Sequence, residues 1–265
     1  MNLQIIYQSE CFEPSTPDFH NGWLNEMDAM RKCGISVSDT PHPEAEQLLY
    51  RSYMISEEKD FPTDPRYISR WQDYHATNDM SVYLPLIQDL TIPSFVTYEL
   101  NRNTVATIKS LGWKRAFVRS SVKSLKYMFP ESHTEEDLPV WPDVSIERLA
   151  EAYKEERETL KPPYIVRQFM PKQTMFQEDR YWIIKHHAYH RSGIIPEVVA
   201  KAVERLKTLN APYYVIDATP DFVVEVNPGV SSDPYPENIP LFFPRWIKKE
   251  FALGTNPSIR AMRQS

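Results

Sequence analysis

Glycine and cysteine are scarce in this sequence of 265 residues, which contains 6 glycines and 2 cysteines but 23 prolines. The glycines form no glycine-rich loop of either common type, in which backbone N–H groups cradle phosphates. If the chain binds a nucleotide, cationic side chains must therefore contact the phosphates. No motif places a histidine or an acid beside Cys11, so a cysteine nucleophile is not indicated.

Long apolar runs and basic blocks are also missing. No stretch approaches the roughly 20 apolar residues of a membrane span, and the N-terminal MNLQIIYQSE is too polar for a signal peptide. We therefore expect a cytoplasmic protein with no membrane partner. The net charge is −6 and no basic tail is present, so we expect no nucleic acid partner bound through bulk electrostatics.

The most informative stretch is a predicted β-hairpin near the C-terminus. Two apolar runs, Tyr213 to Ile216 and Phe222 to Val226, flank the short break ATPD. If the turn centres on residue 221, Asp217 and Glu225 lie directly opposite each other on the paired strands. Asn227 then shares the face of Glu225, because strand side chains alternate between faces.

Asp217, Glu225 and Asn227 are therefore candidate metal ligands. Two carboxylates held this close repel each other unless a positive charge lies between them. Mg²⁺ binds carboxylate and amide oxygens and shares its remaining positions with nucleotide phosphates. The alternative is a polar hairpin end with solvated acids.

Residues 1–93 alternate strand and helix patterns, which predicts a small α/β unit with a partly parallel sheet. Ile92-Pro93 is a plausible boundary, because the residue before a proline leaves the helical region. In the second unit, the patterns predict a helix over Asn103–Leu111 capped by Asn103, and a helix over Ile146–Leu160. A further helix is predicted to start at Pro196, where the sequence has a wide apolar stripe. Residues 239–253 are predicted to form a helical cover, a helix that packs over this unit.

A group of cations lies at the end of a predicted strand and in the turn after it: Arg119, Lys123 and Lys126. The arginine offers a planar fork of donors and the lysines offer mobile point charges, which together suit phosphate oxygens. The alternative is a basic surface loop.

Taken in order, the motifs resemble the ATP-grasp superfamily, in particular a clade with an arginine at the usual ATP-binding lysine. The resemblance lies in RSYM (51–54), FVRSSVKSLK (117–126), YIVRQFMP (164–171), EDRYWII (178–184) and VIDATPDFVVEVNPG (215–229). It implies an α/β (α+β) fold in which two α+β subdomains grip ATP after a small N-terminal α/β domain, residues 1–93. Residues 94–170 would form a smaller lid-like half, and residues 171–265 the larger half with the metal site.

The resemblance also implies roles for individual residues. Asp217, Glu225 and Asn227 match the Mg²⁺ ligands, and Arg119 and Lys123 match the cations that contact the phosphates of ATP and act in catalysis. The segment that joins the two halves, where backbone groups meet adenine, consists of Arg167, Gln168, Phe169 and Met170.

Three further residues receive roles from the same resemblance. Glu178 and Arg180 would line the cleft, with Arg180 facing the reacting phosphate or acyl group. Arg51, projecting from the N-terminal unit, would bind the acid substrate. Gln168 stands where an acidic residue commonly holds the ribose, so the ribose contact is unassigned.

The implied activity is that of a carboxylate–amine ligase that uses Mg-ATP and forms an acyl phosphate. Its substrate would be an amino acid, a peptide or a protein terminus, and a homodimer is possible. The alternatives are a nucleotide-binding accessory module without ligase activity, and a kinase of a hydroxyl substrate. A zinc site on His186, His187 and His190 is disfavoured, because these residues follow a strand pattern and precede a turn rather than lying on a helix.

Overall fold

The computed structural model describes residues 2–12, 17–113, 116–122, 161–168, 170, 177–234 and 242–252. The predicted helix over residues 146–160, the phosphate cation Lys123 and the hinge residue Phe169 lie outside the described residues. In the part that is described, no helix is long and apolar enough to cross a membrane.

The N-terminal sheet has three parallel strands in the order β2-β1-β3. They are β1 (Leu3–Tyr7), β2 (Ser36–Ser38) and β3 (Gln47–Arg51). Helix α1 (Pro17–Lys32) connects β1 to β2 and is followed by Gly34 in the left-handed region, at φ 73°. The predicted α/β unit with parallel pairing is confirmed.

The middle sheet has three antiparallel strands in the order β4-β6-β5: β4 (Ser94–Thr97), β5 (Ala116–Ser120) and β6 (Tyr164–Gln168). Helix α4 (Arg102–Ser110) packs on one face through Ile108. The predicted cap at Asn103 is wrong by two positions. The side chain of Asn101 accepts the N–H groups of Asn103 (2.9 Å) and Thr104 (3.4 Å), so Asn101 caps the helix.

The C-terminal sheet has four antiparallel strands in the order β10-β9-β7-β8. They are β7 (Asp179–Ile184), β8 (His187–Tyr189), β9 (Tyr213–Ala218) and β10 (Val223–Pro228). The turn between β7 and β8 has positive φ at Lys185 (49°) and His186 (65°). The histidine-rich segment is thus a hairpin and not a helix.

The remaining helices are α2 (Trp71–Asn78), α3 (Met80–Ile87), α5 (Glu197–Leu206) and α6 (Phe243–Ile247), which continues into a π-helical turn, Lys248–Ala252. Short 3-10 turns occupy Ser9–Phe12, Glu58–Asp60, Lys207–Leu209 and Gly229–Ser231. The helix predicted to start at Pro196 and the helical cover near the C-terminus are both confirmed.

Two hydrophobic cores cover the two faces of the C-terminal sheet. Helices α3 and α5 pack on one face, where Tyr83, Val199 and Ile216 are buried. Helix α1, the N-terminal sheet and α6 pack on the other face around Trp182 and Val215. Because α3 lies within the core of the C-terminal sheet, the packing crosses the expected boundary at residue 93, and that boundary stays a prediction.

Candidate active site

The hairpin of β9 and β10 pairs Asp217 directly with Glu225, as predicted. The pairing depends on a β-bulge that the sequence did not reveal. Next to the turn Val223 pairs with Ala218, and the register shifts by one residue between Val223 and Glu225. A shift of one residue moves side chains to the opposite face. The bulge therefore places Glu225 and Asn227 on the face of Asp217.

These three side chains form a buried polar cluster. Asp217 is 2%, Glu225 7% and Asn227 1% exposed. Asn227 Nδ2 donates to Asp217 Oδ2 at 2.8 Å and lies 3.4 Å from Glu225 Oε1. Buried carboxylates require such partners, because burial without compensation is costly.

The amide oxygen of Asn227 indicates what the cluster can hold. Asn227 Oδ1 is buried and has no hydrogen-bond partner among the described residues, although buried acceptors are normally satisfied. A half-turn of the amide exchanges its nitrogen and oxygen, so the side chain can present an oxygen ligand beside two carboxylates. This donor set fits Mg²⁺, which binds oxygen ligands of this kind.

Arg180 on β7 lies opposite Asp217 on β9 and forms a bidentate ion pair with it. Arg180 Nε is 2.7 Å from Asp217 Oδ1, and Nη2 is 2.8 Å from Oδ2. Arg180 Nη1 also donates to the main-chain carbonyl of Asp233 at 2.6 Å. Sequence reasoning placed Arg180 in the cleft but missed this pairing, which is set by the strand order β9-β7.

The middle sheet contributes two more cations. The pairing of β5 with β6 places Arg119 and Arg167 on the same face of that sheet, and both are 2% exposed. Arg119 Nη1 lies 3.4 Å from Glu225 Oε2. Arg167 Nε donates to Ser94 Oγ at 3.1 Å and Nη2 donates to Thr91 Oγ1 at 3.3 Å.

The environment of Arg167 disfavours its charged form. Burial and the nearby positive charge of Arg119 lower the pKa of Arg167 to about 10, against the opposing effects of Tyr83 and Glu225. Two buried arginines thus lie near one buried carboxylate, which is an arrangement suited to an anion. The side chain of Arg167, which we expected to matter only through its backbone, belongs to this cationic group.

The other expected cleft residues lie at the surface or at strand ends. Gln168 and Met170 are half-buried and Glu178 is exposed. The backbone N–H of Gln168 donates to the carbonyl of Pro93 at 2.9 Å, so this donor is already engaged. Their expected roles in adenine and cleft binding stay predictions.

The expected projection of Arg51 toward a substrate is wrong. Arg51 is 0% exposed, and its Nε and Nη2 each lie 2.7 Å from an oxygen of Glu26. It also donates to the main-chain carbonyls of Gly229 and Ser232. Its guanidinium therefore binds partners within the core and connects α1 and β3 to the segment after β10.

One contributor to the site carried no signal in the sequence. Tyr83 on α3 places its hydroxyl 3.3 Å from the backbone N–H of Val226, next to Glu225 and Asn227. Burial raises the pKa of Tyr83 to about 12, so its hydroxyl stays neutral and accepts that hydrogen bond. The contact spans more than a hundred residues of chain and has no local motif.

Solved structures share this architecture at low sequence identity. The macrocyclase MdnC from Microcystis aeruginosa MRC, bound with precursor peptide MdnA, matches with a TM-score of 0.56 and 12% identity over 95% of this chain and 100% of that chain. A RiPP-associated ATP-grasp ligase from Chryseobacterium gregarium, in complex with ADP and a leader and core peptide, matches with a TM-score of 0.54 and 12% identity over 95% and 96%. The D-alanine-D-alanine ligase from Coxiella burnetii matches with a TM-score of 0.52 and 12% identity over 85% and 73%.

No protein-family model and no curated protein matches the sequence. The fold is nevertheless clear from the structures: the chain has the ATP-grasp fold, as its motifs predict. At this level of identity the likeness defines the fold alone.

Proposed function

We propose that this protein is an ATP-dependent carboxylate–amine ligase that forms ADP and acts on a peptide, a protein terminus or an amino acid. The observation that carries the proposal is the buried cluster of Asp217, Glu225 and Asn227, with an unsatisfied amide oxygen beside two carboxylates. A scaffold without ligand chemistry gains nothing from burying this set, since such burial costs stability.

The residues suggest a division of roles. Asp217, Glu225 and Asn227 would hold Mg²⁺, which supplies charge neutralisation for phosphoryl transfer. Arg119 and Arg167 would bind the polyphosphate of ATP, together with the expected Lys123. Because these groups are buried, water is excluded and their electrostatic effect on the transferring group is strong.

The proposed reaction has two steps. In the first step, a carboxylate oxygen of the substrate would attack the γ-phosphorus of ATP. The bond between the γ-phosphorus and the oxygen that bridges it to the β-phosphorus breaks, so that ADP departs and the substrate becomes an acyl phosphate. The amine nitrogen then attacks the acyl carbon, phosphate leaves with the electrons of the C–O bond, and the nitrogen loses a proton. Arg180 would face the acyl group, and positioning and charge neutralisation would provide most of the catalysis.

A peptide substrate has specific support. Two of the structures with this fold were solved with precursor peptides or with leader and core peptides. We therefore propose a peptide, rather than a free amino acid, as the first substrate to test.

The test is nucleotide product analysis with Mg-ATP and pools of peptides and amino acids. ADP that appears only with one pool supports the ligase, whereas AMP and pyrophosphate refute the acyl-phosphate route. ADP without a new amide bond indicates a kinase, and binding of Mg-ATP without turnover indicates an accessory module.

Variants connect this result to the site. Asn227→Ala should lower turnover by about 10²–10³, as expected for the loss of one preorganised group, while circular dichroism stays unchanged. Asp89→Asn, an exposed acid paired with Arg205 at the surface, is the control and should retain full turnover.

A further inference from the structure

Residues 88–93 connect helix α3 to strand β4 and hydrogen-bond to both sheets of the candidate active site. On one side, the backbone N–H of Val223 on β10 donates to the carbonyl of Leu90 at 2.7 Å. On the other side, the backbone N–H of Gln168 on β6 donates to the carbonyl of Pro93 at 2.9 Å. The connection therefore joins a strand of the C-terminal sheet to a strand of the middle sheet.

The side chain of Thr91 in this connection contacts both sides at once. Its hydroxyl donates to the main-chain carbonyl of Val223 at 2.7 Å and accepts a hydrogen bond from Arg167 Nη2 at 3.3 Å. A hydroxyl can do both, because it has one donor hydrogen and two acceptor lone pairs. Thr91 is 8% exposed, so water competes little for either bond. One side chain thus links a buried cation of the middle sheet to the strand that carries Glu225.

Val223 is a well-anchored point on β10. It pairs with Ala218 on β9 at the position where the register shifts, and its N–H and carbonyl are bound by Leu90 and Thr91. Because buried backbone groups need partners, these bonds stabilise the strand next to the bulge that sets the face of Glu225. A side chain bound to Val223 is therefore fixed to the strand of the candidate metal ligands.

Two hydroxyl groups accept hydrogen bonds from the guanidinium of Arg167. One belongs to Thr91, and the other is Ser94 Oγ, which accepts from Arg167 Nε at 3.1 Å. Each hydroxyl donates its own hydrogen to a main-chain carbonyl, at 2.7 Å for Thr91 and 2.6 Å for Ser94, so its lone pairs meet the guanidinium. An arginine oriented in advance loses less rotamer freedom when it binds a ligand.

We propose that Thr91 is a positioning residue, whose hydroxyl orients the Arg167 guanidinium toward the polyphosphate of ATP and fixes it relative to the metal-binding strand β10. The proposal rests on the proposed ligase function, in which Arg167 binds phosphate, and deepens it by adding a residue that acts through another. Without the hydroxyl, Arg167 stays in place in the sequence but loses one of the contacts that orient it.

Calorimetry of Mg-ATP binding to the full chain tests this assignment. Thr91→Val removes the hydroxyl and should weaken Mg-ATP binding about three- to tenfold, the effect of one hydrogen bond. Thr91→Ser keeps the hydroxyl and should bind Mg-ATP as the wild type does. Normal affinity in Thr91→Val, or an affinity in Thr91→Ser as weak as in Thr91→Val, overturns the proposal.

A second substitution covers the case in which Thr91→Val does not fold because the Val223 carbonyl is left without a donor. Thr91→Ala also removes the hydroxyl, but it opens a space in which a water molecule can donate to that carbonyl. Thr91→Ala should show the same weakened Mg-ATP binding, and normal affinity in a folded Thr91→Ala protein refutes the positioning role.

Thr104 provides a matched control. It is 4% exposed, and its hydroxyl donates to the carbonyl of Glu99 at 2.8 Å and accepts the N–H of Asn101 at 3.3 Å. It lies on α4, which packs with Val166 on the face of the middle sheet opposite to Arg167. Thr104→Val should lose stability but bind Mg-ATP normally. Equally weakened binding in Thr104→Val would show that affinity only follows stability, which contradicts the proposal.

A double variant shows whether Thr91 acts through Arg167. Thr91→Val/Arg167→Met should bind Mg-ATP no more weakly than Arg167→Met alone, because the orienting contact has nothing left to orient. Additive losses refute the action through Arg167. A wild-type chain that binds no Mg-ATP refutes the ligase and the positioning role together, whereas ADP formation by the wild type with normal affinity in Thr91→Val refutes the positioning role alone.

Discussion

Arg180 contacts both carboxylate oxygens of Asp217, at 2.7 and 2.8 Å. The same oxygens are the ones that a metal ion would coordinate, so Arg180 and a bound cation compete for Asp217. The side chain of Arg180 is 11% exposed, and at such a site the repulsion between like charges is much stronger than in water.

We therefore expect Arg180→Gln to bind Mn²⁺ about 10- to 100-fold more tightly in the absence of nucleotide. This is the effect expected from removing the repulsion between one nearby positive charge and the metal ion. Arg180→Lys keeps the charge but loses the bidentate contact, so its affinity should rise less. Electron paramagnetic resonance of free Mn²⁺ measures both. Arg205→Gln is the control at the surface, and a weaker Mn²⁺ affinity in Arg180→Gln would contradict the competition.

Arg51 and Glu26 should act as a structural pair. Both side chains are 0% exposed, and the attraction of Glu26 raises the pKa of Arg51 despite the opposite effect of burial. Arg51→Met leaves the Glu26 carboxylate buried without its cation, which costs about 3–5 kcal/mol of unfolding free energy. Urea denaturation measures the loss.

The double variant Glu26→Gln/Arg51→Met separates this role from substrate binding. Removing both charges should recover much of the stability, because no buried charge is then left unpaired. If Arg51 instead bound a substrate carboxylate, Arg51→Met would reduce ligand affinity and leave the unfolding free energy nearly unchanged.

The polar hairpin could be predicted from the sequence because its determinants are local. Alternating apolar residues and a short turn place Asp217 opposite Glu225, and strand geometry places Asn227 on the same face. The bulge beside Val224 could not be predicted, since the sequence does not show where the turn closes. The predicted pairing of Asp217 with Glu225 is correct because two departures cancel. The turn closes in a different register, with Val223 paired to Ala218, and the bulge then shifts the register by one residue.

The predictions that were wrong or incomplete depend on contacts between residues far apart in the sequence or on details of the backbone. RSYM at residues 51–54 resembles a motif, but nothing near Arg51 in sequence reveals that Glu26 on α1 neutralises it. The order of strands in the C-terminal sheet likewise decides that Arg180 meets Asp217. At α4, Asn101 and Asn103 are both good caps by residue type, and only the backbone distinguishes them.

Gly229 permits a close approach that an alanine would block. A Cβ at this position would lie 2.5–2.7 Å from ring atoms of the buried Tyr213, and that ring stacks on Trp182 with centroids 5.5 Å apart. Gly229→Ala should therefore lower the unfolding free energy by about 1–3 kcal/mol through overpacking.

Thermal unfolding compares this variant with Gly22→Ala, where the nearest atom to the added Cβ lies at 3.9 Å and helix propensity favours alanine by about 0.5–1 kcal/mol. Gly22→Ala should be neutral or stabilising. Adding Tyr213→Leu to Gly229→Ala should recover part of the loss, and a Gly229→Ala protein as stable as the wild type would show that the ring can move aside.

Arg167 should matter for ATP affinity more than for stability. Its guanidinium is buried and donates to the hydroxyls of Ser94 and Thr91. Burial and the nearby charge of Arg119 lower its pKa to about 10, so the folded protein disfavours the charged form. Replacing it by methionine removes a desolvated charge, so the unfolding free energy should stay the same or rise. The loss of a charge-assisted contact to phosphate should weaken Mg-ATP binding by about 10- to 100-fold.

Calorimetry of Mg-ATP binding and denaturation of Arg167→Met measure the two effects separately, with Arg205→Met as the surface control. A large loss of stability with normal Mg-ATP affinity would make Arg167 a structural residue. Arg119 would then be the one candidate for phosphate binding on the described part of this sheet.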